Sequence, residues 1–440
     1  MTGHSKRTLE TLRTFESRNV TFMDPDGSWP IVWARAQGNH VWDADGRRYL
    51  DLTAAFGVAA AGHANRRVVR AAQRQMPILL HAMGDVHPHA LKAELTARLS
   101  ELTFGRWTAA VRHPVRGKVI LGNSGFEAVE AALKTARLAT GRSEVIAFEG
   151  GYHGLGYGAL NVTQRGHFRD PFRDQLREFG HFIPFPCCRL ELAVMEEKIR
   201  RRAARGRVGA ILVEPIQARG GIRVPAPGFL KRLRKLSNDL GCLLILDEIY
   251  TGFGRTGRWF ATEHSGVIPD LICLGKGLTG GFPLSACVGR AAVMDAAWPE
   301  STGEAIHTST FLGHPVGCAM ALAQISEIQT RNLVDRARHM GDFLHQQLAA
   351  NLAGDFAWGS VRVGGMGLML GVELVDRQGR PATELALRSV KSLLQRGFIL
   401  LPEGEYGNVL GLTPPLTISR VEAASAARAL STVLRELKAP

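Results

Sequence analysis

Between residues 119 and 289 short apolar runs alternate with stretches of helical spacing, and no internal repeat interrupts them. The runs at 119–121, 145–148, 209–213, 242–246 and 271–274 are apolar throughout. Such runs read as strands buried on both faces. Strands regularly separated by helices predict an α/β fold with a large, doubly wound, mostly parallel sheet. At 440 residues the chain exceeds the usual size of one domain, so a large core with a smaller companion is expected. The expected division is an N-terminal segment with part of the small domain at 1–65, a large domain at 66–325 and the C-terminal small domain at 326–440.

Two strand ends carry chemistry. The run at 242–246 ends in Asp247-Glu248, and the run at 271–274 ends in Gly275-Lys276-Gly277. Ligands of open α/β sheets sit beyond the carboxyl ends of strands, so an acid and a lysine delivered by two such ends can face one bound molecule. A desolvated lysine loses its proton readily and becomes a Schiff-base nucleophile. A buried carboxylate opposite a pyridinium nitrogen keeps that nitrogen protonated and the ring an electron sink. Asp247 and Lys276 suit those two tasks; the plainer alternative is a turn-capping acid and a surface lysine.

A third strand passes through Gly122-Asn123-Ser124-Gly125 directly into a helix. Free N–H groups at a helix start bind phosphate, and glycine permits close approach. Taken alone, Ser124 is equally an ordinary N-cap. Gly150-Gly151-Tyr152-His153-Gly154 follows another strand, and an aromatic residue after two glycines can lie flat on a planar ring, worth ~0.5–1.5 kcal/mol.

Together DEIYTGFGRTG and LGKGLTGGFPLSA resemble the signature of the class III (ω-type) aminotransferases, fold-type I pyridoxal phosphate enzymes. The similarity runs from VWDADGRRYLDL near the start to LTPPLTIS near the end. It implies pyridoxal 5'-phosphate as cofactor, Lys276 as the Schiff-base and proton-transfer residue, and Asp247 as partner of the ring nitrogen. Ser124 and Gly125 match the phosphate cradle; Tyr152 stacks on the ring with His153 beside it, and Ile249 covers the second face. Glu214 supports the phenolic side of the cofactor. Tyr250 replaces a glutamine near the phenolic oxygen, where a phenol could also hydrogen-bond. Phe56 lies on the glycine-rich approach to the substrate, while His63 and Glu130 are read as structural. Thr310, in HTSTFLGHP, matches a threonine that reaches the cofactor phosphate of the neighbouring subunit, which implies a homodimer with shared sites. The implied reaction is ping-pong transamination between an amine or amino acid and a keto acid or aldehyde. An aminomutase or amino-acid racemase of the same family is the alternative, and a non-catalytic pyridoxal-binding protein a more distant one.

Two departures bear on the substrate. Relatives that use glutamate carry QGEGG after the Glu-Pro strand and an arginine just before LxPPL. Here those places read Gln217-Ala218-Arg219-Gly220-Gly221 and Leu410-Gly411-Leu412. Either Arg219 replaces the carboxylate clamp from the other side, or the amine substrate lacks an α-carboxylate and Arg219 points outward.

Composition narrows the partners. The net charge is +14, yet only ten of the 54 basic residues are lysines and no sustained basic run is interleaved with aromatics, so neither nucleic acid nor membrane is expected as a partner. Six cysteines lack CxxC or disulfide-like spacing and read as reduced thiols of a cytoplasmic protein. The first residues show no apolar signal core, and no run approaches membrane-spanning length.

Overall fold

A computed structural model describes residues 3–25 and 27–437. Of the break expected at 25–27, Asp26 lies outside the described residues. The spacing of Leu9, Leu12 and Phe15 predicts a short amphipathic helix at 8–18; the first helix, Gly3–Phe15, buries Leu9 but leaves Phe15 83% exposed, so that apolar side is only partly used.

Strands β1 (Trp33–Gln37), β2 (His40–Asp43) and β3 (Arg48–Asp51) form an antiparallel meander. The alternating pattern about Asp43-Ala44-Asp45-Gly46 predicts a hairpin turn, and the turn between β2 and β3 falls there: Asp43 Oδ1 accepts the N–H groups of Asp45 at 3.0 Å and Arg47 at 2.8 Å. A short acid closes such a turn by satisfying its amides.

The central sheet contains β4 (Gly117–Gly122), β5 (Glu144–Phe148), β6 (Gly180–Ile183), β7 (Val208–Val213), β8 (Leu243–Asp247), β9 (Leu271–Leu274) and β10 (Ser285–Arg290). Their order is β4-β10-β9-β8-β7-β5-β6. Only β10 runs against its neighbours, pairing antiparallel with β4 and β9. Every residue of β5, β7 and β9 is buried. Alternate side chains serve opposite faces: Ile146, Phe148, Ile211 and Val213 pack with helices Arg189–Ala203 and Phe229–Leu240, whereas Val145, Ala147, Ala210 and Leu212 pack with helix Gly125–Thr140. Coverage of both faces explains the continuous apolar runs.

Toward the C-terminus, β11 (Gly359–Met366) and β12 (Met369–Asp376) form a hairpin. The apolar run GFILLP at 397–402 reads as a strand of the small domain; in the structure it divides into β13 (Phe398–Ile399), which pairs parallel with β3, and β14 (Leu401–Glu403), which pairs with β15 (Val409–Leu412). The second small sheet therefore has the order β11-β12-β15-β14. The apolar spacing from Ala321 to about Leu352 predicts one long helix; the structure has two, Pro315–Thr330 and Leu333–Asn351, separated at Asn332 with φ 49°. Asparagine tolerates that left-handed conformation better than most residues. Buried Arg255 ties distant segments together, Nη1 donating to the carbonyls of Leu368 at 3.1 Å and Pro414 at 2.5 Å. Among the described residues no helix is long and apolar enough to cross a membrane.

Candidate active site

Parallel pairing of β8 and β9 sets Asp247 opposite Cys273, so the acid and the Gly275-Lys276 turn emerge at the same edge of the sheet. A cavity of about 380 Å³ opens there, lined by both residues and by Gly125, Tyr152, His153, Glu214, Arg219, Ile249 and Tyr250.

Lys276 adopts φ 39°, a left-handed conformation that costs a β-carbon residue on the order of 1–3 kcal/mol and persists only where its surroundings hold it. Burial lowers its pKa, Asp247 and Glu214 oppose the shift, and Arg219 adds to it. The amine is accordingly available as a nucleophile and base nearer neutrality than an ordinary lysine. Its Nζ stands 4.7 Å from the centre of the Tyr250 ring.

Asp247 is fixed from two sides. Oδ1 accepts the N–H of Ile249 at 3.1 Å, and Oδ2 lies 2.7 Å from Nδ1 of His153. A carboxylate only accepts, so Nδ1 carries the hydrogen. Beyond β7, Glu214 accepts the N–H groups of Tyr152 and Ala218, each at 3.0 Å. Burial pushes its pKa up to about 7, with His153 lowering and Asp247 raising it.

Ser124 stands at the N-cap of helix Gly125–Thr140, yet its side chain makes no capping bond. Its Oγ is buried without a hydrogen-bond partner. Glu127 holds the preceding turn, accepting the N–H of Asn123 at 2.5 Å and its Nδ2 at 3.2 Å. A Cβ on Gly125 would come 3.0 Å from Ile249 Cδ1, so glycine lets the helix start approach the cavity wall. An unpartnered hydroxyl beside helix-terminal amides calls for an anion. Together with a low-pKa amine and an acid set across the same cavity, this donor set fits a phosphate-bearing aldehyde with a basic ring nitrogen.

Tyr152 and Ile249 both line the cavity. Tyr250 departs from the hydrogen bond suggested for it: its hydroxyl is 3.1 Å from Thr413 Oγ1, and its ring face turns toward Lys276. Burial raises its pKa to about 12, so it remains a neutral phenol. Arg219 points into the cavity rather than outward, with its guanidinium carbon 5.8 Å from the centre of the Tyr152 ring. Phe56 and Thr310 do not line it; Phe56 is half exposed and Thr310 lies on an exposed loop. His63 is held by Asp51 at 2.7 Å, outside the lining, and Glu130 accepts the N–H of Ala159 at 3.0 Å, as their structural reading implies.

Sequence reasoning missed Glu403 and Arg165. Nε of Arg219 stands 3.6 Å from Oε2 of buried Glu403. Arg165 donates to the carbonyls of Arg219 at 3.3 Å and Gly404 at 3.1 Å. The one available signal was an acid immediately after GFILLP; nothing local links it to residue 219.

The family profile described as aminotransferase class-III matches residues 22–434. The chain belongs to the class III aminotransferases. Acetylornithine aminotransferase of Methanosarcina mazei is 35% identical over 90% of this chain and 90% of its own length. Putrescine aminotransferase of Pectobacterium atrosepticum is 35% identical over 92% of this chain and 83% of its own. Among solved structures, ornithine aminotransferase from Toxoplasma gondii superposes with a TM-score of 0.84 at 29% identity, covering 98% of this chain and 94% of that one. As a class III aminotransferase the protein uses pyridoxal 5'-phosphate and moves an amino group between an amine or amino acid donor and a keto acid or aldehyde. Its fold is the fold-type I architecture expected from the sequence.

Proposed function

We propose that Lys276 and Asp247 are the catalytic pair of this aminotransferase, and that Arg219 receives the carboxylate of a glutamate-type donor or its keto acid. The observation that carries the assignment is the joint placement of Lys276, the Asp247–His153 pair and Arg219 around one cavity of about 380 Å³. Pyridoxal 5'-phosphate, when bound, supplies an electron sink for the pair released as the substrate carbon loses its proton.

The residues divide that work. Lys276 Nζ holds the cofactor covalently and, once freed, carries the proton. Asp247 would keep a proton on the cofactor's ring nitrogen, and His153 fixes the orientation of Asp247. Ser124 Oγ and the amides that open helix Gly125–Thr140 hold the phosphate. Tyr152 and Ile249 would pack against the cofactor ring, and Glu214 would support its phenolic group, with Tyr250 offering its ring because its hydroxyl is engaged by Thr413. Phe56, half exposed and outside the cavity lining, would meet the substrate only on its approach to the site.

A homodimer belongs to the same reading. Ile78, Leu80, Met83 and Val86 are each more than half exposed, and the His81 ring lies 5.3 Å from that of Phe311, next to Thr310. An apolar surface of this kind calls for a partner, and a second copy would bring Thr310 to the other subunit's phosphate. The division of the chain near residues 65 and 325 is proposed with it, because the central sheet is drawn entirely from 117–290. Six free thiols, four of them buried, fit a reducing cytoplasm.

The test is the visible spectrum of the holoenzyme, titrated in turn with L-glutamate, L-ornithine, 4-aminobutyrate and a diamine. Conversion to the aminated cofactor by L-glutamate supports Arg219 as the carboxylate site. Conversion only by amines without an α-carboxylate refutes it.

A further inference from the structure

Arg219 is held by little. Among the described residues no acceptor lies within hydrogen-bonding distance of its guanidinium, and Glu403 Oε2 at 3.6 Å is beyond that distance. Glu403 Oε2 is itself buried without a donor, in a residue only 6% exposed. Two charged groups that attract each other while neither is hydrogen-bonded make a pair that a better-fitting partner can displace.

The backbone around the pair is fixed, so movement falls to the side chains. Gly404 donates to the Arg219 carbonyl at 3.0 Å, and Arg165 clamps the carbonyls of both residues. Gly411 makes the room. It pairs with Leu401 across β14 and β15, and a Cβ at 411 would come 3.0 Å from Glu403 Cγ. Any longer side chain there would crowd the acid out of its present position. The absence of an arginine at 411 and the presence of an acid at 403 are therefore one structural fact.

We infer that Glu403 is a displaceable counter-ion for Arg219 and thereby a specificity-determining residue. A substrate carboxylate takes the Arg219 fork with two N–H bonds in place of a 3.6 Å contact. Arg165, whose charge also acts on Glu403, keeps the released acid compensated. An amine without a carboxylate leaves the pair closed, and Glu403 cancels a charge that would repel a second ammonium group. One cavity thus serves both substrate classes. The inference rests on Arg219 as the carboxylate site.

The test compares wild-type holoenzyme with Arg219→Ala, Glu403→Gln and Glu403→Asp. Affinity for glutarate, an unreactive dicarboxylate, is measured by calorimetry, and KM is measured for 2-oxoglutarate and a diamine. Glu403→Gln removes the competitor and should tighten glutarate about tenfold while raising the diamine KM severalfold. Glu403→Asp, which withdraws the charge without removing it, should fall between. Opposite signs for the two ligand classes are not produced by general damage to the site. Unchanged or weaker glutarate binding in Glu403→Gln, with binding lost in Arg219→Ala, overturns the counter-ion role and leaves Arg219 as the carboxylate site. Wild-type glutarate affinity in Arg219→Ala overturns both.

Discussion

Nδ1 of His153 lies 2.7 Å from Oδ2 of Asp247, with side-chain exposures of 1% and 4%. The histidine comes from the loop after β5 and the acid from the end of β8, so the sheet order brings them together. Hydrogen bonds to charged groups contribute about 1.5–3 kcal/mol. His153→Ala should therefore lower kcat roughly 10–100-fold with a smaller effect on KM, and should shift the pH titration of the bound cofactor's absorbance. A variant with normal kcat and an unshifted titration would show that His153 does not position Asp247.

Ser124→Ala separates a phosphate ligand from a helix cap. Loss of a cap would cost the cofactor-free protein ~1 kcal/mol. Removal of a buried, unpartnered hydroxyl should leave its melting temperature unchanged or higher, while cofactor affinity falls about tenfold. Calorimetry of the cofactor-free form and equilibrium dialysis of the cofactor read the two effects independently.

Lys276→Ala should lower kcat by about 10⁴-fold, the upper range for removal of a proton-transfer group. Borohydride treatment should leave the cofactor's mass on the Lys276 peptide of the wild type and not on the variant. Covalent retention elsewhere in the chain would reassign the lysine.

Glu214 gives a pH dependence. Its ordinary pKa of 4.5 rises to about 7 in the folded protein, chiefly through burial. Between those values the unfolded chain has released the proton and the native chain retains it, so raising pH through this window favours unfolding. The contribution is complete below 4.5 and lost by about 7. In the cofactor-free form, Glu214→Gln should melt close to wild type in acid and progressively above it from about pH 5 to about pH 8. Parallel melting curves across that range would contradict the shift.

Thr310 tests the shared site. Lys276→Ala and Thr310→Ala homodimers should each be impaired, but subunit exchange between them creates one site with an intact Lys276 and an intact Thr310 from its partner. Activity should rise on mixing; no recovery despite confirmed exchange would confine Thr310 to its own chain.

By itself the sequence determined the sheet and the two polar strand ends proposed as its catalytic pair. Strands buried on both faces must be apolar at nearly every position, so β5, β7 and β9 announce themselves as runs, and the polar residues that end such runs, Asp247 and Lys276, stand out against them. Local signals of this kind depend on neighbours in the chain. Tertiary structure decided what depends on neighbours in space: whether Ser124 caps a helix or keeps its hydroxyl buried without a partner, where the Tyr250 hydroxyl turns, and how the strand expected in GFILLP divides between two sheets. It also decided where Arg219 stands. The pair with Glu403 and the space left by Gly411 join three chain segments whose order in sequence carries no record of their contact, because an ion pair and a close approach impose no periodicity on the chain.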